Sequence, residues 1–361
     1  MTKKYNNKNE ILKSRYFDFL KDAKQRSEST INAAAKALLR YETFHNFEDL
    51  EKLTSDKAKN FTNALLKEKS KAKGILLSKS TILHTVNPLK DFFTWLHQEQ
   101  GFKKKIKLND IKYFNLSKRN MREARLTENR PVPTIEIIRD VISSISIESD
   151  IDRRNQALIA FMLLTGVRDG ALISLKISDV DIGRKLVKQY PKNGVDTKDD
   201  KSIDTYFFPV GNDIEKIVID WIRYLLEVKH CDISAPLFPK TEIGLDAEHS
   251  FTNLGLSTEH WQSATPVITI MKKCFADAGY DYYHPHSFRK TIVRLGEQVC
   301  RTPEEFKAWS QNIGHESPLT TFTSYGYVDV HRQGEVILGL GKSETKEKKL
   351  DRLINLLEQS L

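Results

Sequence analysis

Residues 155–167 read NQALIAFMLLTGV, an apolar run closed by a glycine near its end. Its centre, Leu158–Leu164, is far too short to cross a bilayer, which takes about 20 apolar residues. A helix apolar on every side belongs instead at the centre of a globular domain, and Gly166 marks its end. Upstream, Thr134 offers a cap for IEIIRDVISSI, residues 135–145. Downstream, KLVKQY (185–190) and SIDTYFFPV (202–210) read as strands, with PKNGVDTKDD (191–200) between them. Asn-Gly and Asp-Asp are turn chemistry, so a hairpin or small sheet is expected there. Beyond it helices dominate again. Thr302-Pro303-Glu304-Glu305 joins a capping hydroxyl, a first-turn proline and a glutamate three positions on, a strong helix start.

The first hundred residues read as helices with no strand-like alternation. Ile31, Ala34, Ala35 and Leu38 share one helical face, with Ser29 or Thr30 as the expected cap. A helix is expected from Thr54 or Ser55 through Phe61 and Leu65. Another carries Ile82, Val86, Leu89, Phe93 and Leu96, with a kink expected at Pro88. Residues 103–130 then change character, with ten Lys and Arg against three Asp and Glu and little periodicity. The chain thus divides into a helical domain (1–102), a basic linker (103–131), a second domain (132–345) and a C-terminal helix (346–361). That last helix places Leu350, Leu353, Ile354, Leu357 and Leu361 on one stripe. It either folds back on its own domain or docks on a neighbouring subunit. No internal repeat is found.

At 361 residues the chain can bury two cores, and 39% hydrophobic with 29% charged residues is an ordinary globular balance. The net charge of +9 is unevenly spread. Residues 1–130 hold 29 Lys and Arg against 15 Asp and Glu, a net +14, whereas residues 131–361 hold 28 against 33, a net −5. A surface that tracks phosphates needs such asymmetry, because neutralising them releases counterions. Cys231, Cys274 and Cys300 are scattered and form no C-x-x-C pair, which excludes a disulfide framework and a zinc ribbon and fits a reduced, cytoplasmic protein. The N-terminus MTKKYNNKNE has no apolar core and is no secretory signal.

The chemistry-bearing residues lie in the last two hundred. They are Arg168 in TGVRDGAL, a lysine in TKDDK (197–201), His286 and Arg289 in HSFR, His315 in IGHES, and Tyr325 in FTSYG. Cationic donors around one phenol point to phosphoryl transfer, with the tyrosine as nucleophile. Two guanidiniums can hold the oxygens of one phosphate in planar forks, which lysine does less rigidly. His286 and Arg289, three apart, face one side of a helical turn. His284-Pro285-His286 could suggest a metal, but no nearby Cys or paired carboxylate completes a site, so neither metal nor cofactor is expected.

This ordered set resembles the tyrosine recombinases, or phage-type integrases, across most of the chain. The resemblance implies a mainly α fold with a small β-sheet: an N-terminal helical core-DNA-binding bundle and an α+β catalytic domain, closing as a C-shaped clamp on duplex DNA. It gives Arg168 and Arg289 the phosphate, His286 the general acid/base position and His315 a hydrogen bond to the phosphate. Lys198 becomes the acid that protonates the leaving 5′-oxygen, with Lys192 and Lys201 also on the segment and Lys201 its alternative. Tyr325 becomes the nucleophile, one residue further from His315 than the family's commonest spacing, with Tyr327 as a rival. The family usually places an acid three positions after the first arginine. Here that position is Ala171, which leaves Asp169 or another acid to brace the site.

Strand exchange then passes through a 3′-phosphotyrosyl link without ATP or metal, in a tetramer on two DNA sites. Accessory DNA-bending proteins are possible partners, and a mobile element is the expected context. Such a chain binds no membrane. A type IB topoisomerase, which reseals the original strand, and a non-catalytic DNA-binding protein on the same scaffold are the alternatives. The phage-like Ser-Tyr-Gly and the basic first domain favour the recombinase.

Overall fold

Most helix starts in the first unit fall where a side chain takes up free N–H groups. Asn6 accepts from Lys8 and Asn9 at the head of α1 (Asn7–Asp18), which continues through one wider turn, Phe19–Ala23. The next helix, α2 (Glu28–Phe44), follows Ser27 rather than Ser29 or Thr30. Ser27 already bonds both of those hydroxyls at 3.0 Å, so they lie inside the helix. Thr54 caps α3 (Ser55–Lys67) and Ser78 caps α4 (Lys79–Gln98), which runs through Pro88 as a single element. Two short helices follow, α5 (Leu108–Ile111) and α6 (Lys118–Arg125). This computed structural model describes residues 5–70, 74–125, 131–245 and 251–315, and the chain divides into two units between Glu128 and Asn129.

The apolar stripes read from the sequence meet in the first core. Ala34, Leu38, Phe61, Leu65, Ile82, Val86, Leu89, Phe93 and Leu96 are all buried. Tyr41 sits among Phe61, Phe93 and Phe114, with ring centroids 5.2, 5.5 and 5.7 Å away. The segment read as a linker behaves differently from that reading. Ile106, Ile111, Phe114 and Leu116 are buried in this same core, and Phe114 stacks on Phe93. A polar knot is buried beside them: Glu42 accepts from Lys13 Nζ at 2.7 Å and from Asn9 Nδ2 at 3.0 Å, and Asn9 Oδ1 accepts from the Leu50 amide.

The second unit is built around the stretch 155–167. After α7 (Ile135–Ser144), capped by Thr134, comes α8 (Asp150–Thr165), in which every residue from Ala157 to Thr165 is buried. A short α9 (Asp169–Ser174) leads into a three-stranded antiparallel sheet of β1 (Val180–Asp181), β2 (Leu186–Gln189) and β3 (Ile203–Tyr206), in that spatial order. Val187 pairs with Thr205 and Gln189 with Ile203. Next comes α10 (Asn212–Arg223). An antiparallel pair follows it, β4 (Thr241–Leu245) and β5 (Phe251–Leu256), where the sequence reading expected helix. Buried Arg154 of α8 fastens that pair, donating to the Pro239 carbonyl and Thr241 Oγ1 at 2.9 and 3.0 Å. The described chain closes with α11 (Thr265–Asp277), α12 (Pro285–Val299) and α13 (Pro303–Ile313), the last opened by the Thr302–Glu305 capping box. Among the described residues no helix is long and apolar enough to cross a membrane. The C-terminal stripe from Leu350 to Leu361 lies outside the described residues.

Candidate active site

Three helix ends in the second unit carry the basic residues. At Gly166 the chain leaves α8 with φ +60°, and a Cβ there would come 2.9 Å from Ile292 Cδ1, so the position requires glycine. Two residues later Arg168 is the extended residue that opens α9, with its side chain half-buried. At the head of α12, His284 Nδ1 accepts from the His286 amide, Pro285 occupies the first turn, and His286 and Arg289 follow on one face. At the far end of α13, Gly314 turns with φ +80° and packs against Ile203 of β3, and His315 follows at once.

Arg289 joins these ends. Its guanidinium is 4% exposed and donates to the Gly166 carbonyl and, at 2.8 Å, to the Ile313 carbonyl. These are terminal carbonyls of α8 and α13, where backbone dipoles favour a cation. The third nitrogen, Nε, has no partner among the described residues. Strand β3 is fixed to the same place. Thr205 Oγ1 donates to the Asn312 carbonyl at 3.0 Å, and the Asn312 amide group bonds the Tyr206 backbone both ways.

The charges of Arg168, His286, Arg289 and His315 act on one another. Burial pushes the Arg289 pKa below its ordinary value, and the Arg168 guanidinium lowers it further. Both arginines stay charged at neutral pH. His286 reaches solvent, yet its crowded surroundings and then Arg289, Lys290 and Arg168 hold its pKa down. His315 is pushed down to about 4 from an ordinary 6.5, first by burial and then by Arg289 and Arg168. Both rings are therefore neutral at pH 7, able to donate through one nitrogen and accept through the other. As pH falls below about 6.5 the unfolded chain protonates this histidine before the folded one does. Its contribution to stability is thus full above 6.5, declines between 6.5 and 4, and is level below. Urea melts at pH 7.5 and pH 5 should show that loss for the wild type, and a smaller loss for His315→Gln.

The turn carrying Lys198 lies between β2 and β3. Lys198 is exposed, Asp199 and Asp200 follow with φ of 60° and 50°, and the Asp199 charge reaches Arg168. Lys192 instead lies 5.2 Å above the Tyr190 ring. Lys201 is half-buried at the foot of β3. Tyr325 and Tyr327 lie outside the described residues. The structure thus brings Arg168, His286, Arg289 and His315 together and puts the Lys198 turn beside Arg168. Two features of the cluster carry no local sequence signal: the carbonyl partners of Arg289 and the nearness of Asp199 to Arg168. Among the described residues no cluster of His, Cys, Asp and Glu could hold a metal ion.

A family model described as "Phage integrase, N-terminal SAM-like domain" matches residues 14–100, within the first unit. The tyrosine recombinase XerC of Bacillus pumilus (strain SAFR-032) is 25% identical over 309 residues, covering 85% of this chain and 88% of that protein. Among solved structures, a lambda integrase dimer bound to a COC′ core site superposes with a TM-score of 0.57 at 14% identity, covering 93% of this chain and 98% of that one. XerH recombinase bound to difH in a pre-cleavage complex gives 0.55 at 17% identity, covering 90% and 84%. The Tn1549 transposon integrase bound to transposon right-end DNA gives 0.56 at 14%, covering 91% and 99%.

Proposed function

We infer that this chain is a tyrosine recombinase of the phage-integrase type, a site-specific enzyme that cleaves and rejoins DNA strands through a 3′-phosphotyrosyl intermediate. The observation that carries this reading is the meeting of two arginines and two neutral histidines at three helix ends. Tyr325 attacks the scissile phosphorus. The bond to the 5′-oxygen breaks, and Lys198 gives that oxygen its proton. His286 accepts the phenol proton as the attack proceeds. Arg168 and Arg289 face the non-bridging oxygens, and His315 donates to one of them as charge builds in the transition state. A 5′-hydroxyl from a second duplex then attacks the phosphotyrosine, releasing Tyr325 and sealing a recombined strand. Bond count is conserved at each step, so no outside energy source enters.

Double-stranded DNA is the substrate, and the net +14 of residues 1–130 suits a unit that follows its phosphates. The enzyme acts as a homo-oligomer, a tetramer on two sites, in the cytoplasm and in the service of a mobile element, with accessory DNA-bending proteins as possible partners. A duplex from the DNA flanking this gene, nicked near the cleavage point, traps the covalent complex because the cut strand diffuses away. On a denaturing gel without divalent metal, wild type should give a shifted protein–DNA band that Tyr325→Phe lacks. A band that survives Tyr325→Phe would move the nucleophile to Tyr327. Tight DNA binding without any band would favour a non-catalytic DNA-binding protein.

A further inference from the structure

We propose that a recess in the first unit, between α3 and residues 112–120, holds the sugar-phosphate backbone of duplex DNA. This rests on the recombinase reading above and gives its helical unit a defined contact surface. The recess has a volume of about 280 Å³. Small-molecule sites usually enclose about 300–1,000 Å³, so this one suits part of a longer ligand. One wall is a single face of α3, with Lys59, Asn63 and Leu66 at helical spacing. The other is the turn Lys112–Phe114 and the approach to α6, which bring Lys112, Tyr113, Asn115 and Asn120.

The chemistry of these walls selects a backbone of phosphates. Among the described residues no carboxylate lines the recess. Lys59 and Lys112 are exposed, and neither pairs with an acid among the described residues. Lys112 Nζ donates to Asn109 Oδ1 at 3.0 Å, a neutral acceptor that leaves its charge whole. Other basic residues of this unit are taken up by carboxylates: Lys13 by Glu42, Arg40 by Glu68, Lys57 by Glu48 and Lys105 by Glu51. The amide side chains of Asn63, Asn115 and Asn120 also make no hydrogen bond among the described residues. Ammonium, amide and hydroxyl groups are the set that contacts phosphate and sugar on a duplex. Single strands are held instead on stacks of aromatic rings, and Tyr113 is one ring among polar neighbours. Beyond the recess α6 continues the positive surface, with Lys118, Arg119 and Arg122 exposed and in no ion pair among the described residues.

The recess is also preformed. Its lining includes Thr62 and Leu116, 4% and 6% exposed, and Thr62 Oγ1 donates to the Ala58 carbonyl at 2.9 Å. Phe114, between Tyr113 and Asn115, is locked in the core by its stack on Phe93. Ser117 Oγ accepts from the Asn120 amide at 3.2 Å and fixes the first turn of α6. Walls held in this way bind a backbone with little ordering cost.

The test uses the full chain and a fluorescent duplex from the DNA flanking this gene, with affinity read by anisotropy across salt concentrations. Three double variants are compared with wild type: Lys59→Gln with Lys112→Gln, Asn63→Leu with Asn120→Leu, and Lys216→Gln with Lys273→Gln. The last pair removes equal charge from exposed positions of the second unit. Each phosphate contact contributes about 0.9 to the slope of log affinity against log salt. Loss of the recess lysines should therefore lower that slope by about 2 and weaken binding about tenfold or more. Loss of the two amides should weaken binding about 3- to 10-fold with the slope unchanged, because no counterion is involved. The second-unit pair should keep the wild-type slope. A wild-type slope without the recess lysines, an equal drop in the second-unit pair, or wild-type affinity without the amides would each overturn the proposal. The nicked-duplex gel on the same proteins keeps the two readings apart. Wild type that binds through the recess yet forms no covalent complex sinks the recombinase reading alone. A covalent complex with a slope that the recess lysines do not move sinks the recess alone.

Discussion

Arg289→Met will abolish covalent-complex formation and lower the melting temperature of the second unit. Methionine fills a similar length of core, so the lost volume is small and the effect reports the guanidinium itself. Removing it strands the Gly166 and Ile313 carbonyls at two buried helix ends. Hydrogen bonds to a charged donor contribute about 1.5–3 kcal/mol each. Part of that loss is offset because burying the cation is itself costly. A net destabilisation of roughly 2 kcal/mol is therefore expected. The catalytic loss should be larger, about 10³-fold or more, because the phosphate loses a preorganised cation and His315 loses the anchor of its helix end. Arg289→Lys separates the two roles. One ammonium cannot span both carbonyls with a planar fork, so stability recovers in part while cleavage does not. Thermal melts and the nicked-duplex gel measure the two effects independently. Wild-type stability in Arg289→Met would mean that the stranded carbonyls find other donors.

In the first unit, Glu42→Ala should cost about 3–5 kcal/mol, the usual penalty for breaking a buried ion pair from one side. The Glu42 side chain is fully buried and takes donors from both Lys13 and Asn9. Its removal leaves a lysine 8% exposed with only Glu10, itself half in solvent, as a partner. Asn9 is also the residue that accepts from the Leu50 amide, so the turn after α2 loosens with it. A fall in melting temperature on the order of 10–20 °C is expected for this unit. Double replacement of Lys13 by Met and Glu42 by Leu should recover much of the loss, since no charge is then left buried. If Glu42→Ala alone melts like wild type, water has reached the knot and the pair contributes little.

Much of this architecture is legible because the signals are local. Thr54, Thr134 and Thr302 cap the helices that the sequence places after them, and the run 155–167 is the buried helix it resembles. The mainly α fold with its small antiparallel sheet follows from such signals. Arg168, His286, Arg289 and His315 could be singled out as motif residues, although their common location depends on three helix ends that are far apart in sequence. Other features were hidden for physical reasons. Ile106, Ile111, Phe114 and Leu116 enter the first core at irregular intervals among lysines, so no period betrays them. The strands β4 and β5 hold only as a pair fastened by Arg154, a tertiary contact.

The choice of backbone carbonyls as partners for Arg289 sets a limit on how this protein can change. A carbonyl satisfies a donor without neutralising it, so the buried cation stays a full cation. Any nearby mutation that brought in a carboxylate would relieve the burial cost and make a sturdier protein, while discharging the site proposed to hold a phosphate. Sturdiness and activity therefore pull these positions in opposite directions. Selection for heat tolerance alone would be expected to produce well-folded chains that grip DNA without cutting it.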